Sequence, residues 1–147
     1  MKDSYFVSID GKQYFDADDS LISVETTGKY IKRGKFDYII YKEYNSEDPK
    51  KYSRAIIKID GEKSVTLIKN GENRTKLILE KGRRHYCFYS TEIGCLMVGV
   101  FTDAITSHFS DDGGKLTINY SLDINSTLAS INEITVKIRR IDLKCPV

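Results

Sequence analysis

Ser110–Asp123, SDDGGKLTINYSLD, holds a candidate phosphate or metal loop in its first half and a strand pattern in its second. Leu116, Ile118, Tyr120 and Leu122 fall on one side of an extended chain, and Lys115, Thr117, Asn119, Ser121 and Asp123 on the other. That alternation marks a strand with one buried face. The loop fails both chemical patterns. A P-loop needs a glycine five residues before Gly114 and a Ser or Thr after its lysine, whereas Phe109 and Leu116 stand there. A strand also follows where a P-loop requires a helix. An EF-hand closes its twelve-residue loop with Glu, and SDDGGKLTINYS has its aspartates second and third and no closing Glu. The glycines therefore read as a turn between strands.

The same period of two runs outward in both directions. Further strands are expected over Tyr5 to Ile9, Leu21 to Ile31, Phe36 to Tyr44, Arg54 to Ile59, Ser64 to Lys69 and Thr75 to Glu80. Others follow over Arg83 to Ser90, Cys95 to Thr102 and Ala104 to Phe109. Near the end Ile134, Val136 and Ile138 share a face while Ile141 and Leu143 take the other, which predicts a bulge near Arg139-Arg140. Asp10-Gly11, Asp60-Gly61, Asn70-Gly71 and Lys81-Gly82 read as turns, and Asn45 to Lys51 as a loop. No window carries a three-turn amphipathic helix; Ser126 to Ile131 fits one helical turn or an arm of the last hairpin. About ten short strands in hairpin succession predict an all-β, single antiparallel up-and-down barrel of 8–10 strands over 1–147. Closure removes sheet edges, and such a barrel is filled by side chains or holds one small ligand.

Composition bounds the function. The 147 residues fit one domain, with 40% apolar and 30% charged residues. A net charge of +2 disfavours nucleic acid as a general partner and leaves room only for a local patch. Cys87, Cys95 and Cys145 form an odd set without a CxxC pair, the N-terminus lacks an apolar signal region, and no run approaches about 18 apolar residues. These features predict a cytoplasmic protein with free thiols and no membrane partner, as a monomer or homodimer.

Metal and catalytic sites are weakly supported. Asp16, Asp18 and Asp19 lack a further carboxylate at useful spacing. His85, Cys87, Cys95 and His108 suggest zinc until register is considered. If the two strands pair across Thr91–Gly94, His85 faces Val100, Cys87 faces Val98 and Tyr89 faces Leu96, while Cys95 points to the other side. Zinc ligands at about 2.0–2.3 Å cannot span both faces of a sheet. No metal or cofactor is expected, and no nucleophile or acid–base constellation favours an enzyme. Candidate interior residues for a small apolar or aromatic ligand are Tyr89, Leu96, Val98, Ile118 and Tyr120, with His85 and Cys87 at a polar edge. A second candidate is an exterior RNA- or protein-binding surface made by Arg74, Lys76, Lys81, Arg83 and Arg84.

Thr26-Thr27-Gly28-Lys29-Tyr30, Glu80-Lys81-Gly82, Tyr89-Ser90-Thr91-Glu92-Ile93-Gly94 with Leu96, Val98 and Thr102, and Asp111–Leu116 with Ile118 and Tyr120 occur in a distinctive succession. In order and spacing they resemble the YwiB-like family of bacterial domains of unknown function. The resemblance implies a calycin-type, lipocalin-like barrel and carries no activity or catalytic residue. The chain has no Trp, so it lacks the Gly-x-Trp signature of true lipocalins. Any link to lipocalin ligands is therefore one of fold.

Overall fold

The computed structural model describes residues 4–15, 18–44, 50–71, 74–92 and 94–141, without the side chains of 15, 18–20 and 88–91. Asp16, the loop residues 45–49 and Cys145 lie outside the described residues, as do the side chains of Asp18, Asp19 and Tyr89. The alternating segments form ten strands: β1 (Tyr5–Phe15), β2 (Asp18–Arg33), β3 (Phe36–Tyr44), β4 (Tyr52–Asp60) and β5 (Ser64–Asn70). These are followed by β6 (Thr75–Glu80), β7 (Arg84–Thr91), β8 (Gly94–Ser110), β9 (Gly113–Ile124) and β10 (Thr127–Arg140). They make one antiparallel sheet in the order β6-β5-β4-β3-β2-β1-β10-β9-β8-β7, curled into a nearly closed barrel.

The ladder is incomplete between β6 and β7, which are neighbours in sequence. Among the described residues the wall is joined there at one end. The Gly82 N–H donates to Thr102 O at 2.8 Å, and Lys81 makes a single parallel bridge to Thr102. Gly82 takes a φ of 76°, which turns the chain there without steric cost. A second lock spans the outer face of β8, where Arg84 of β7 pairs with Asp123 of β9 over Gly99. A Cβ at Gly99 would strike the Asp123 carboxylate.

Inward side chains follow the alternation. One end, where β2, β4, β6 and β8 finish, is filled. Ile39, Ile59, Val65, Leu79 and Val7 are buried there. Tyr30 stacks on Phe109 with centroids 5.7 Å apart and meets Tyr5 edge-on at 5.6 Å. The Tyr30 hydroxyl donates to Asp37 Oδ1 at 2.5 Å, satisfying a buried carboxylate. The Asp111–Asp112 turn closes this end: Tyr5 Oη donates to Asp111 O at 2.7 Å, and Arg140 pairs with Asp112 at 2.8 Å. Gly113 and Gly114 are required by proximity as much as by turn geometry, because Cβ atoms there would hit the backbone of Ile138 and His108.

Three local expectations change, and one alternative is decided. Asp10-Gly11 is not a turn but the middle of β1, paired on both sides; Asp10 accepts from Ser23 Oγ, and Gly11 lies between Ile22 and Ile134. The strands expected over Cys95 to Thr102 and Ala104 to Phe109 are one strand, β8, with a bulge between Thr102 and Ala104. The bulge expected near Arg139-Arg140 falls instead between Leu128 and Ser130. Of the two readings of Ser126 to Ile131, the arm of the last hairpin holds and the helical turn does not. Asn125 and Ser126, with φ of 49° and 71°, make a two-residue hairpin turn, and the rest is β10.

Candidate functional site

The other half of the barrel is hollow. Inward residues from β1–β5, β9 and β10 line a chamber of about 300 Å³ that opens to solvent at this end. Its walls are aliphatic: Ile9, Val24, Ile57, Leu67, Leu116, Ile118, Leu122, Ile134 and Val136. Gly11, with no side chain, leaves space beside Tyr41 and Tyr120 in the wall. Its rim is polar. Counting by twos along β3 passes from Ile39 and Tyr41 to Glu43, and along β5 from Val65 and Leu67 to Lys69, so both charges turn inward at the rim. Lys69 Nζ lies 2.8 Å from Glu43 Oε2. Gln13 and Asn132, cross-strand partners on β1 and β10, complete the polar side. Asn132 Nδ2 donates to Ser130 Oγ at 3.0 Å.

Tyr41 lines the chamber and is 9% exposed. Its hydroxyl makes no hydrogen bond to another described residue. Burial, with a smaller contribution from Glu43, pushes it up to about 12, so at neutral pH it is a proton donor inside an apolar space.

The structure divides the residues singled out from sequence. Ile118 and Tyr120 line the chamber. His85 faces Val100, Cys87 faces Val98 and Tyr89 faces Leu96, the register read from the loop between them. Leu96 and Val98 are half-buried on β8, and His85, Cys87, Leu96 and Val98 are not among the chamber's lining residues. His85 is instead beside the incomplete seam, with Nε2 2.9 Å from Glu80 Oε1. Burial pushes the Cys87 thiol up, which opposes nucleophilic use. Tyr41, Glu43, Lys69, Gln13 and Asn132 were missed, although inward polar residues at strand ends are a signal that alternation contains.

The basic residues are also separated. Arg74 and Lys76 flank the start of β6 and Lys81 lies beyond its end; the five residue steps from Lys76 to Lys81 span about 17 Å. Arg84 is held by Asp123, and Arg83 Nε lies 3.6 Å from Glu80. No group of three or more His, Cys, Asp or Glu side chains fit to hold a metal occurs among the described residues.

With this geometry in place, known proteins provide a frame. The model of a domain of unknown function, DUF1934, matches residues 7–136. The chain belongs to that family. The crystal structure of the ywiB protein from Bacillus subtilis superposes with a TM-score of 0.78 at 18% identity, covering 95% of this chain and 93% of that one. At that identity the likeness concerns the fold. No curated protein matches the chain.

Proposed function

We propose that this DUF1934 domain is a non-catalytic barrel that takes one small, mostly apolar or aromatic molecule into its hollow half. The chamber carries this reading. Its volume is about twice that of an apolar cavity of roughly 150 Å³ that accepts benzene, and stands at the lower end of ligand pockets. A molecule with an apolar body would lie against Ile118, Ile134 and Leu67. A single acceptor would meet the Tyr41 hydroxyl, and a polar end would meet Lys69 and Glu43. The free thiols of Cys87 and Cys95 suit the cytoplasm expected from sequence.

Native mass spectrometry of freshly isolated protein, with a thermal-shift panel of medium-chain acids and small aromatics, tests the proposal. A bound mass, or a melting rise that Ile118→Trp abolishes, is expected. A bare mass together with no shift across the panel would refute ligand binding in the chamber. An exterior phosphate surface at Lys81 to Arg84 has less support, because Glu80 and Asp123 already neutralise Arg83 and Arg84.

A further inference from the structure

We infer that the outer face of β9, β10 and β1 is a binding groove for single-stranded nucleic acid, separate from the chamber. The residues come from distant parts of the sequence and are aligned by register. His108 lies opposite Lys115, Lys115 opposite Lys137, and Lys137 opposite Ser8. Arg139 lies two residues along from Lys137, opposite Phe6. Lys115, Lys137 and Arg139 are exposed and line a groove of about 550 Å³ together with Phe6, Glu25 and Gly114.

None of the three cations lies within ion-pair distance of a carboxylate among the described residues, whereas Arg83, Arg84 and Arg140 are each paired. Like charges directly opposite in adjacent strands destabilise a sheet. Lys115 and Lys137 form such a pair, so an anion between them would remove a repulsion as well as add an attraction. Neighbouring strands are about 4.8 Å apart, and the cationic row therefore follows a chain running across the strands.

An aromatic face supplies the second requirement of a single-strand site. Phe6 is 44% exposed, and the Arg139 guanidinium lies 5.1 Å from its ring centroid. The guanidinium covers one face of the ring, and the planar cation and the other ring face are the surfaces on which a base stacks. A bilayer would need a flat or protruding apolar surface, and an acidic peptide would not use the stacking face. Charge and shape thus favour a phosphate backbone with unpaired bases.

The test is fluorescence anisotropy with a labelled mixed-sequence single-stranded RNA of about twelve nucleotides, against duplex DNA, a poly-glutamate peptide and anionic vesicles. Three phosphate contacts at about −0.7 each in the log–log salt slope predict a roughly 18-fold loss of affinity between 50 and 200 mM salt. Lys115→Glu with Lys137→Glu should abolish saturable binding while the melting temperature is kept. Lys115→Gln with Lys137→Gln should weaken binding without reversing charge, and Phe6→Leu should lower affinity roughly fivefold. Lys81→Glu with Arg83→Glu should leave binding unchanged. Absence of saturable binding at 50 mM salt, equal loss in the Lys81/Arg83 variant, or tighter binding to vesicles or peptide than to RNA would overturn the assignment.

Discussion

The two halves of this barrel share one wall and differ in what fills it. At the end closed by the Asp111–Asp112 turn, Tyr5, Tyr30 and Phe109 lie across the interior, and Ile39, Ile59 and Leu79 pack beneath them. At the other end the inward positions are mostly aliphatic or glycine, Tyr41 and Tyr120 stand in the wall, and the charged and amide side chains gather at the rim. Alternation alone builds a tube. Bulk at a few inward positions decides whether a given section of it is core or chamber.

Substitutions that treat the halves alike should have unequal effects. Ile59→Ala in the filled half removes a fully buried side chain among rigid neighbours and should cost about 2–5 kcal/mol in urea unfolding. Paired enlargements separate the halves more sharply: Val65→Phe should cost about 1–3 kcal/mol, whereas Leu67→Phe, two residues along β5 and facing the chamber, should cost less than about 1. A loss at Leu67 as large as that at Val65 would mean that the chamber is not open in solution.

The tyrosines offer a comparison at the level of one hydroxyl. Tyr30→Phe leaves the buried Asp37 carboxylate without its donor and should cost about 1–3 kcal/mol. Tyr41→Phe removes a hydroxyl with no described partner and should change stability by less than about 0.5 kcal/mol below pH 10. Above that pH the order changes. Tyr41 is raised from 10 to about 12 by burial and Glu43, so its contribution is full below pH 10 and is lost as pH climbs through 12. Alkaline titration should show a decline on the order of 2 kcal/mol that is shallower in Tyr41→Phe. Burial and Asp37 raise Tyr30 as well, so part of the decline should persist in that variant.

The smallest expected difference is kinetic. At neutral pH a thiol reagent should modify exposed Cys95 well before Cys87, whose thiol is raised by burial. Faster modification of Cys87 would reopen a nucleophilic role for it.

Much of this architecture was legible in the residues. Leu116, Ile118, Tyr120 and Leu122 marked their strand, and the loop before Gly94 placed Cys87 opposite Val98. Asp10-Gly11 misled because its turn chemistry is local, whereas β1 is held by two neighbours over its length. The chamber was hidden for another reason, since alternation records which way a side chain points and not how much space remains. The outer cationic row depends on register through the Asn125-Ser126 turn and past the Leu128/Ser130 bulge, neither of which the pattern located.

The strand order also has a consequence for assembly. Nine strands, β1 to β9, form two meanders, β1 to β6 and β7 to β9, with no ladder between them among the described residues; the 81–83 turn and side-chain contacts at the filled end link them. β10 is the stave that joins them, bonding β9 along one edge and β1 along the other. Its register thus aligns sections of chain more than a hundred residues apart, which makes its docking the slow, high-contact-order event. A chain cut after β9 should retain two partial sheets that cannot enclose an interior. Rewiring the order by joining Ser4 to Ile141, whose backbones already meet at 2.8 Å, and opening the chain at Gly82 would make every ladder a sequence neighbour and should speed closure.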